Sequence, residues 1–202
     1  MVRKLLRGLL FLVFMGLVPV ACCREERDYA NIRELLLYLS EPGVNSPALL
    51  TGARTSAPEL MTTVRLQYDY LTAAPTSSLF GSQAMAFQCE GPGIKGLKDK
   101  VASITFTSLG LFNGVAAGQS LEQFVRCSGG NSKFQNLRFP LAQLADSLNT
   151  WKAGEFDGQL DIPLELYISP LPRDNAQQQF QLRIQLQSGK EVVQTTPAII
   201  WN

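Results

Sequence analysis

Strict alternation of apolar and polar residues is the strongest constraint this chain places on its own fold. In LMTTVRLQYDY, beginning at Leu60, one parity holds Leu60, Thr62, Val64, Leu66, Tyr68 and Tyr70, and the other holds Met61, Thr63, Arg65, Gln67 and Asp69. Successive side chains of a strand point to opposite faces, so this pattern predicts a half-buried strand. It returns twice near the C-terminus. LDIPLELYIS groups Leu160, Ile162, Leu164, Leu166 and Ile168; FQLRIQLQ groups Phe180, Leu182, Ile184 and Leu186 against Gln181, Arg183, Gln185 and Gln187. PLPRDNAQQ separates these two runs, and QSGKE makes a tight turn into VVQTTPAIIW. The last third is therefore expected to be a three-stranded antiparallel meander. Pro163 and Pro197 cannot donate to a ladder and belong at an edge, a bulge or a strand end.

The middle of the chain is mixed. SQAMAFQC and KVASITFTS read as strands, separated by the Gly- and Pro-marked loop EGPGIKGLKD. Two short helices are expected. One covers Gln119 to Arg126, with Leu121, Phe124 and Val125 at helical spacing and Ser120 as a cap. The other covers Pro140 to Trp151, through Leu141, Leu144, Ala145 and Leu148, with proline where a helix accepts it. NIRELLLYLS fits either a helix, through Ile32, Leu35, Leu36 and Leu39, or a strand, through Leu35, Leu37 and Leu39. Residues 40–58, rich in Pro, Gly, Ser and Thr, read as a long loop. The fold class is mainly β: an antiparallel β-sandwich with one or two short peripheral helices.

The N-terminus imposes a separate constraint. Arg3, Lys4 and Arg7 precede the apolar run Leu9 to Val18, the layout of a secretory signal. That run is about half of the roughly 20 residues that cross a bilayer as a helix. Small residues then lead to Cys22 and Cys23. The segment resembles the lipobox of bacterial lipoproteins, cut before a cysteine that is then diacylated, although Pro19 stands where leucine is usual. The resemblance implies a signal peptide over 1–21, a lipid anchor at Cys22 and a charged tether over 22–30, ahead of one β-rich domain over 31–202. The alternative is ordinary signal cleavage, leaving two thiols exposed in an oxidising compartment, where they would be a liability. Arg24, Glu25 and Glu26 resemble the export signal that takes Bacteroidota lipoproteins to the cell surface; otherwise they form a solvated tether on the periplasmic face.

Removing residues 1–21 takes away three basic residues and no acid, which turns the formal charge from +1 to −2. Nothing electrostatic favours nucleic acid as a partner. Histidine is absent, which excludes an imidazole base, a Ser-His-Asp triad and a His-ligated zinc.

Beyond the anchor, Ala86 to Cys89, Lys98 to Ser108 and Asn113 to Phe124 resemble blocks of a family of uncharacterised Bacteroidota lipoproteins with one β-rich domain behind the lipobox cysteine. The resemblance implies fold and location, and no activity.

Cys89 and Cys127 are the cysteines outside the anchor region. A bridge between them would close a loop of about 39 residues and contribute roughly 4 kcal/mol in the chain-entropy model; otherwise each is a small buried hydrophobe. EFDGQLD, Glu155 to Asp161, reads as turn residues rather than an oxygen-lined calcium site. A glycosidase would need two facing carboxylates, and Asp69, Glu90, Asp99, Asp157, Asp161 and Glu165 supply many pairs with nothing to select one. Tyr68 and Tyr70 continue an apolar parity and are expected in the core. Trp151, and Phe134 in the polar loop GNSKFQN, are the candidate binding surface. No catalytic residue, metal or cofactor is assigned. The expected function is that of a membrane-anchored, non-enzymatic binding module engaging a glycan or an envelope protein. The alternatives are a carboxylate-dependent enzyme and a subunit of a larger envelope assembly.

Overall fold

The computed structural model describes residues 29–43, 46–71, 95–129, 137–150 and 164–202. The signal segment, Cys22, Arg24, Glu25, Glu26, the SQAMAFQC strand with Cys89, Glu90, Phe134, Trp151, the Glu155–Asp161 turn and Pro163 lie outside the described residues.

Along the chain the strands are β1 (Tyr29–Ser40), β2 (Arg54–Thr55), β3 (Leu60–Leu71), β4 (Val101–Ser108), β5 (Val125–Ser128), β6 (Phe139–Pro140), β7 (Leu164–Ile168), β8 (Gln177–Gln178), β9 (Phe180–Leu186), β10 (Glu191–Thr195) and β11 (Ile199–Trp201). An α-helix, α1 (Leu144–Asn149), follows β6. An antiparallel sheet runs β1-β3-β7-β5-β6, a second runs β10-β9-β4, and a small third sheet runs β2-β11-β8. The β2–β11 pair is parallel. The apolar faces enclose one core, as a β-sandwich requires.

Alternation locates the buried faces. Leu60, Thr62, Val64 and Leu66 of β3 are buried, as are Leu164, Leu166 and Ile168 of β7 and Phe180, Leu182, Ile184 and Leu186 of β9. Tyr68 and Tyr70 pack against the core. The ambiguity of NIRELLLYLS has a physical cause: the register of β1 on β3 shifts between Ile32 and Glu34. The bulge places an extra residue in the strand and moves the core parity from Ala30 and Ile32 to Leu35, Leu37 and Leu39. Even positions before the bulge and odd positions after it reproduce a helix-like spacing.

Three expectations are corrected. The C-terminal third is not a meander: β7 pairs with β3 and β5, whereas β9 pairs with β10 and β4 in the other sheet. Only the β9–β10 hairpin survives, turning at Gly189 with φ +88°. Alternation reveals a half-buried strand but not its partner, and both sheets present the same kind of inner face. Pro197 does lie between β10 and β11, off the ladder.

The helix expected over Gln119–Arg126 is a single 3-10 turn, Glu122–Phe124, which runs directly into β5. Leu121 N–H is bonded to Phe106 O at 2.8 Å and Val125 is paired to Ile168, so little more than one turn fits between these fixed points. The long loop over 40–58 contains β2, which pairs with β11.

The second helix is present but shorter. A 3-10 turn over Leu141–Gln143 precedes α1, and Leu141, Leu144 and Leu148 are buried as their spacing predicts. Asn149 clamps the helix end to β4, accepting from Val101 N–H and donating to Val101 O, both at 2.8 Å.

Phe106, Phe112, Phe180 and Trp201 are fully buried. Phe112 lies 5.9 Å from Phe180 and 6.0 Å from Trp201 between ring centroids, and the Trp201 indole N–H donates to Ala57 O at 2.7 Å. Trp201→Ala should therefore destabilise the domain by about 3–5 kcal/mol. Urea unfolding checks this, and an unchanged midpoint would contradict the packing described.

Candidate functional site

Because β3 and β7 bury one parity, the other is displayed across the outer face of the five-stranded sheet. β1 and β3 bring Tyr38 opposite Thr63 and Leu36 opposite Arg65. β3 and β7 bring Met61 opposite Tyr167 and Thr63 opposite Glu165, and β5 adds Arg126 opposite Tyr167 and Ser128 opposite Glu165.

Across this face the polar groups form a chain. Glu165 Oε2 accepts from Tyr167 O–H at 2.6 Å and from Ser128 Oγ–H at 2.9 Å. The Arg138 guanidinium lies 3.7 Å above the Tyr167 ring centroid, within cation–π range. The same guanidinium makes a bidentate pair with Glu59, at 2.6 and 2.9 Å. Arg65 sits 5.6 Å from the centroid of the Tyr38 ring. Beside this pair a groove of about 380 Å³ is lined by Tyr38, Ser40, Gly43, Met61, Thr63 and Arg65, among others. The face thus offers two ring–guanidinium pairs, a carboxylate and hydroxyls on a broad, open surface. Planar groups that can stack and polar edges that can donate and accept suit a polyhydroxylated ligand.

Burial raises the pKa of Tyr167, and donation to Glu165 raises it further. The hydrogen bond to Glu59 raises Arg138 still further into the charged range.

A second groove, of about 400 Å³, is lined by Asn113, Gly114, Phe124, Pro170, Arg173 and Asp174. Asn113 has φ 49° and Gly114 φ 83°; their N–H groups donate to Asp174 Oδ1 at 3.0 Å and Oδ2 at 2.6 Å. The Gly114 contact leads in lowering the Asp174 pKa. These donors already have an anion, supplied by the chain itself, so the arrangement is a clasp between two loops.

Of the expected bridge, Cys89 lies outside the described residues and Cys127 carries a free thiol. Cys127 has the inward parity of β5 and is fully buried, and burial pushes its pKa up to about 12 despite the opposing charge of Arg126. It packs as a small hydrophobe.

Of the nominated acids, Asp69, Asp99 and Glu165 are among the described residues, and Asp69 and Glu165 lie far apart. Asp69 pairs with Arg33 at 3.7 Å. It lies six residues along β3 from Thr63, the partner of Glu165, or about 20 Å of strand. Asp99 accepts from Ser188 in the β9–β10 turn. Among the described residues no group of three metal-ligating side chains is assembled.

Tyr38, Glu59, Arg65, Ser128, Arg138 and Tyr167 were not apparent as a group from sequence. Tyr38, Arg65 and Tyr167 occupy outward parities, but their proximity depends on strand order. No family model, no curated protein and no solved structure matches this chain.

The polar chain has a pH signature. Tyr167 should ionise above the ordinary phenol value of 10.0. Its folded pKa lies above its unfolded one, so its stabilisation is complete below about pH 10 and lost as pH rises through the folded value. In an absorbance titration of tyrosinate, Tyr167→Phe should remove a late component. Glu165→Gln should move that component to lower pH by removing the carboxylate. Identical titrations for wild type and both variants would contradict the arrangement.

Proposed function

We propose that this chain is a lipoprotein anchored through Cys22, exported to the outer membrane and displayed at the cell surface, whose outer sheet face binds a glycan. The observation that carries the binding reading is the pairing of Tyr38 with Arg65 and of Tyr167 with Arg138 around Glu165 on one open sheet face. Tyrosine and arginine supply contact area with few freely rotating bonds and a polar edge, the combination that recurs at recognition surfaces.

The anchor reading is supported by the basic start, the short apolar run and the small residues before Cys22. The export reading is supported by Arg24, Glu25 and Glu26, and membership of the β-rich Bacteroidota lipoprotein family by the sequence blocks that resemble it. An envelope protein is the other ligand class that this surface fits.

Cys22→Ala should leave the fold intact and release the protein from membranes. Fractionation followed by limited proteolysis reads both properties, and a variant still sedimenting with membranes would overturn the anchor. Tyr38→Ala and Arg65→Ala should each weaken binding to a glycan identified on an array by about tenfold or more, with unchanged unfolding midpoints. Undiminished binding by both would place the ligand elsewhere.

A further inference from the structure

The end of the sandwich where β1 begins is basic. Lys95, Lys98, Lys100 and Lys190 are all exposed there. Backbone contacts gather them at this end. Ala30 N–H donates to Gly96 O and Lys98 N–H to Ala30 O, both at 3.0 Å, so residues 96–98 run beside the start of β1. Gln187 N–H donates to Lys100 O at 2.8 Å and Leu186 N–H to Lys190 O at 2.9 Å, which brings the β9–β10 turn alongside. Lys190 Nζ reaches Ile32 O at 3.2 Å, and Lys95 Nζ lies 5.7 Å from the centroid of the Tyr29 ring.

Among the described residues the acids near this end include Asp99, Asp69 and Glu34. Asp99 is held by Ser188, through its N–H at 3.1 Å and its hydroxyl. Asp69 pairs with Arg33. The tether adds Glu25, Glu26 and Asp28 against Arg24 and Arg27, a formal −1. Counting the described residues and the tether, four lysines against Asp99, Glu34 and the tether's −1 leave a formal +1 here, in a chain whose mature formal charge is −2. Cys22 and Tyr29 are seven residues apart, a span of at most about 25 Å.

We propose that this basic end docks onto net-anionic phosphate headgroups of the membrane that holds the Cys22 anchor, which stands the sandwich upright with β1 rising from the lipid. The proposal rests on the anchor reading above. A lysine near an anionic membrane surface favours contact roughly fivefold, an effect that fades beyond about 8 Å at physiological ionic strength. The short tether keeps the end within reach, so even a weak contact is well occupied. Docking leaves the opposite end of β1, with Tyr38 and the groove beside Met61, directed away from the lipid.

The test is hydrogen exchange on the full mature lipoprotein in nanodiscs of phosphatidylcholine alone or with about 30 mol% phosphatidylglycerol. Amides of residues 95–100 and 187–190 should exchange on the order of fivefold more slowly in the anionic discs. This protection should vanish in about 0.5 M salt and in the variant combining Lys95→Gln, Lys98→Gln, Lys100→Gln and Lys190→Gln. Exchange within β3 and β9 reports whether the variant folds; if it does not, the triple variant retaining Lys190 replaces it. Equal exchange in both discs, or protection unaffected by salt and by the substitutions, overturns the proposal. Intact mass of the same sample reports the acyl chains separately. An acylated protein without protection rejects the docking alone, and an unacylated mass rejects the anchor and the docking built on it.

Discussion

Burial of the Trp201 indole against Phe112 and Phe180 joins parts of the chain that no local interaction would bring together. The penultimate residue reaches Ala57 through its ring N–H, while its backbone N–H donates to Ala176 O at 2.7 Å. Ile200 pairs with Arg54 on one side and Gln177 on the other. The small third sheet thus ties the C-terminus to the segment between β1 and β3 and to the approach to β9. Phe180 opens β9 and stacks on Phe106 of β4 at 5.4 Å between centroids, so the same aromatic layer braces the second sheet. Nonlocal apolar contacts of this kind offset the loop-closure entropy of a fold in which few neighbouring strands are neighbours in sequence.

With one face of each sheet committed to that core, the outer faces are available for other chemistry. The five-stranded sheet uses its outer face for the Glu59–Arg138–Tyr167–Glu165 chain and for the groove at Tyr38 and Arg65. The paired groups there are held in position by partners within the chain, which would reduce the ordering cost of binding the proposed ligand. The lysines lie toward the β1 start of the molecule, away from Tyr38. In the proposed orientation a single strand, β1, spans the distance from the lysines to the aromatic surface at Tyr38.

Local pattern made much of this legible. β3, β7 and β9 follow from alternation, the β9–β10 turn from its glycine, and the buried side of α1 from the spacing of Leu141, Leu144 and Leu148. The failures have physical causes. The Ile32–Glu34 bulge shifts parity within β1 and imitates a helix, and the Gln119–Arg126 segment is limited to one 3-10 turn by backbone bonds on either side of it. The meander fails because β7 and β9 bury equivalent apolar faces against different strands, which periodicity does not distinguish. The candidate surface was hidden for the same reason. Tyr167 and Arg65 were visible as outward residues, but only register across β1, β3, β7 and β5 makes them one surface, and Arg138 joins through a pair with Glu59, 79 residues away. Trp151 and Phe134, the aromatic candidates from sequence, lie outside the described residues.

The proposed orientation depends on whether the chain begins, in the cell, at an acylated Cys22. Intact mass spectrometry of the native protein extracted from membranes tests this most directly. The expected result is a mass for residues 22–202 increased by acyl chains. An unmodified mass, or cleavage at any other position, would contradict the anchor, and with it the orientation that places the sheet face beyond the membrane.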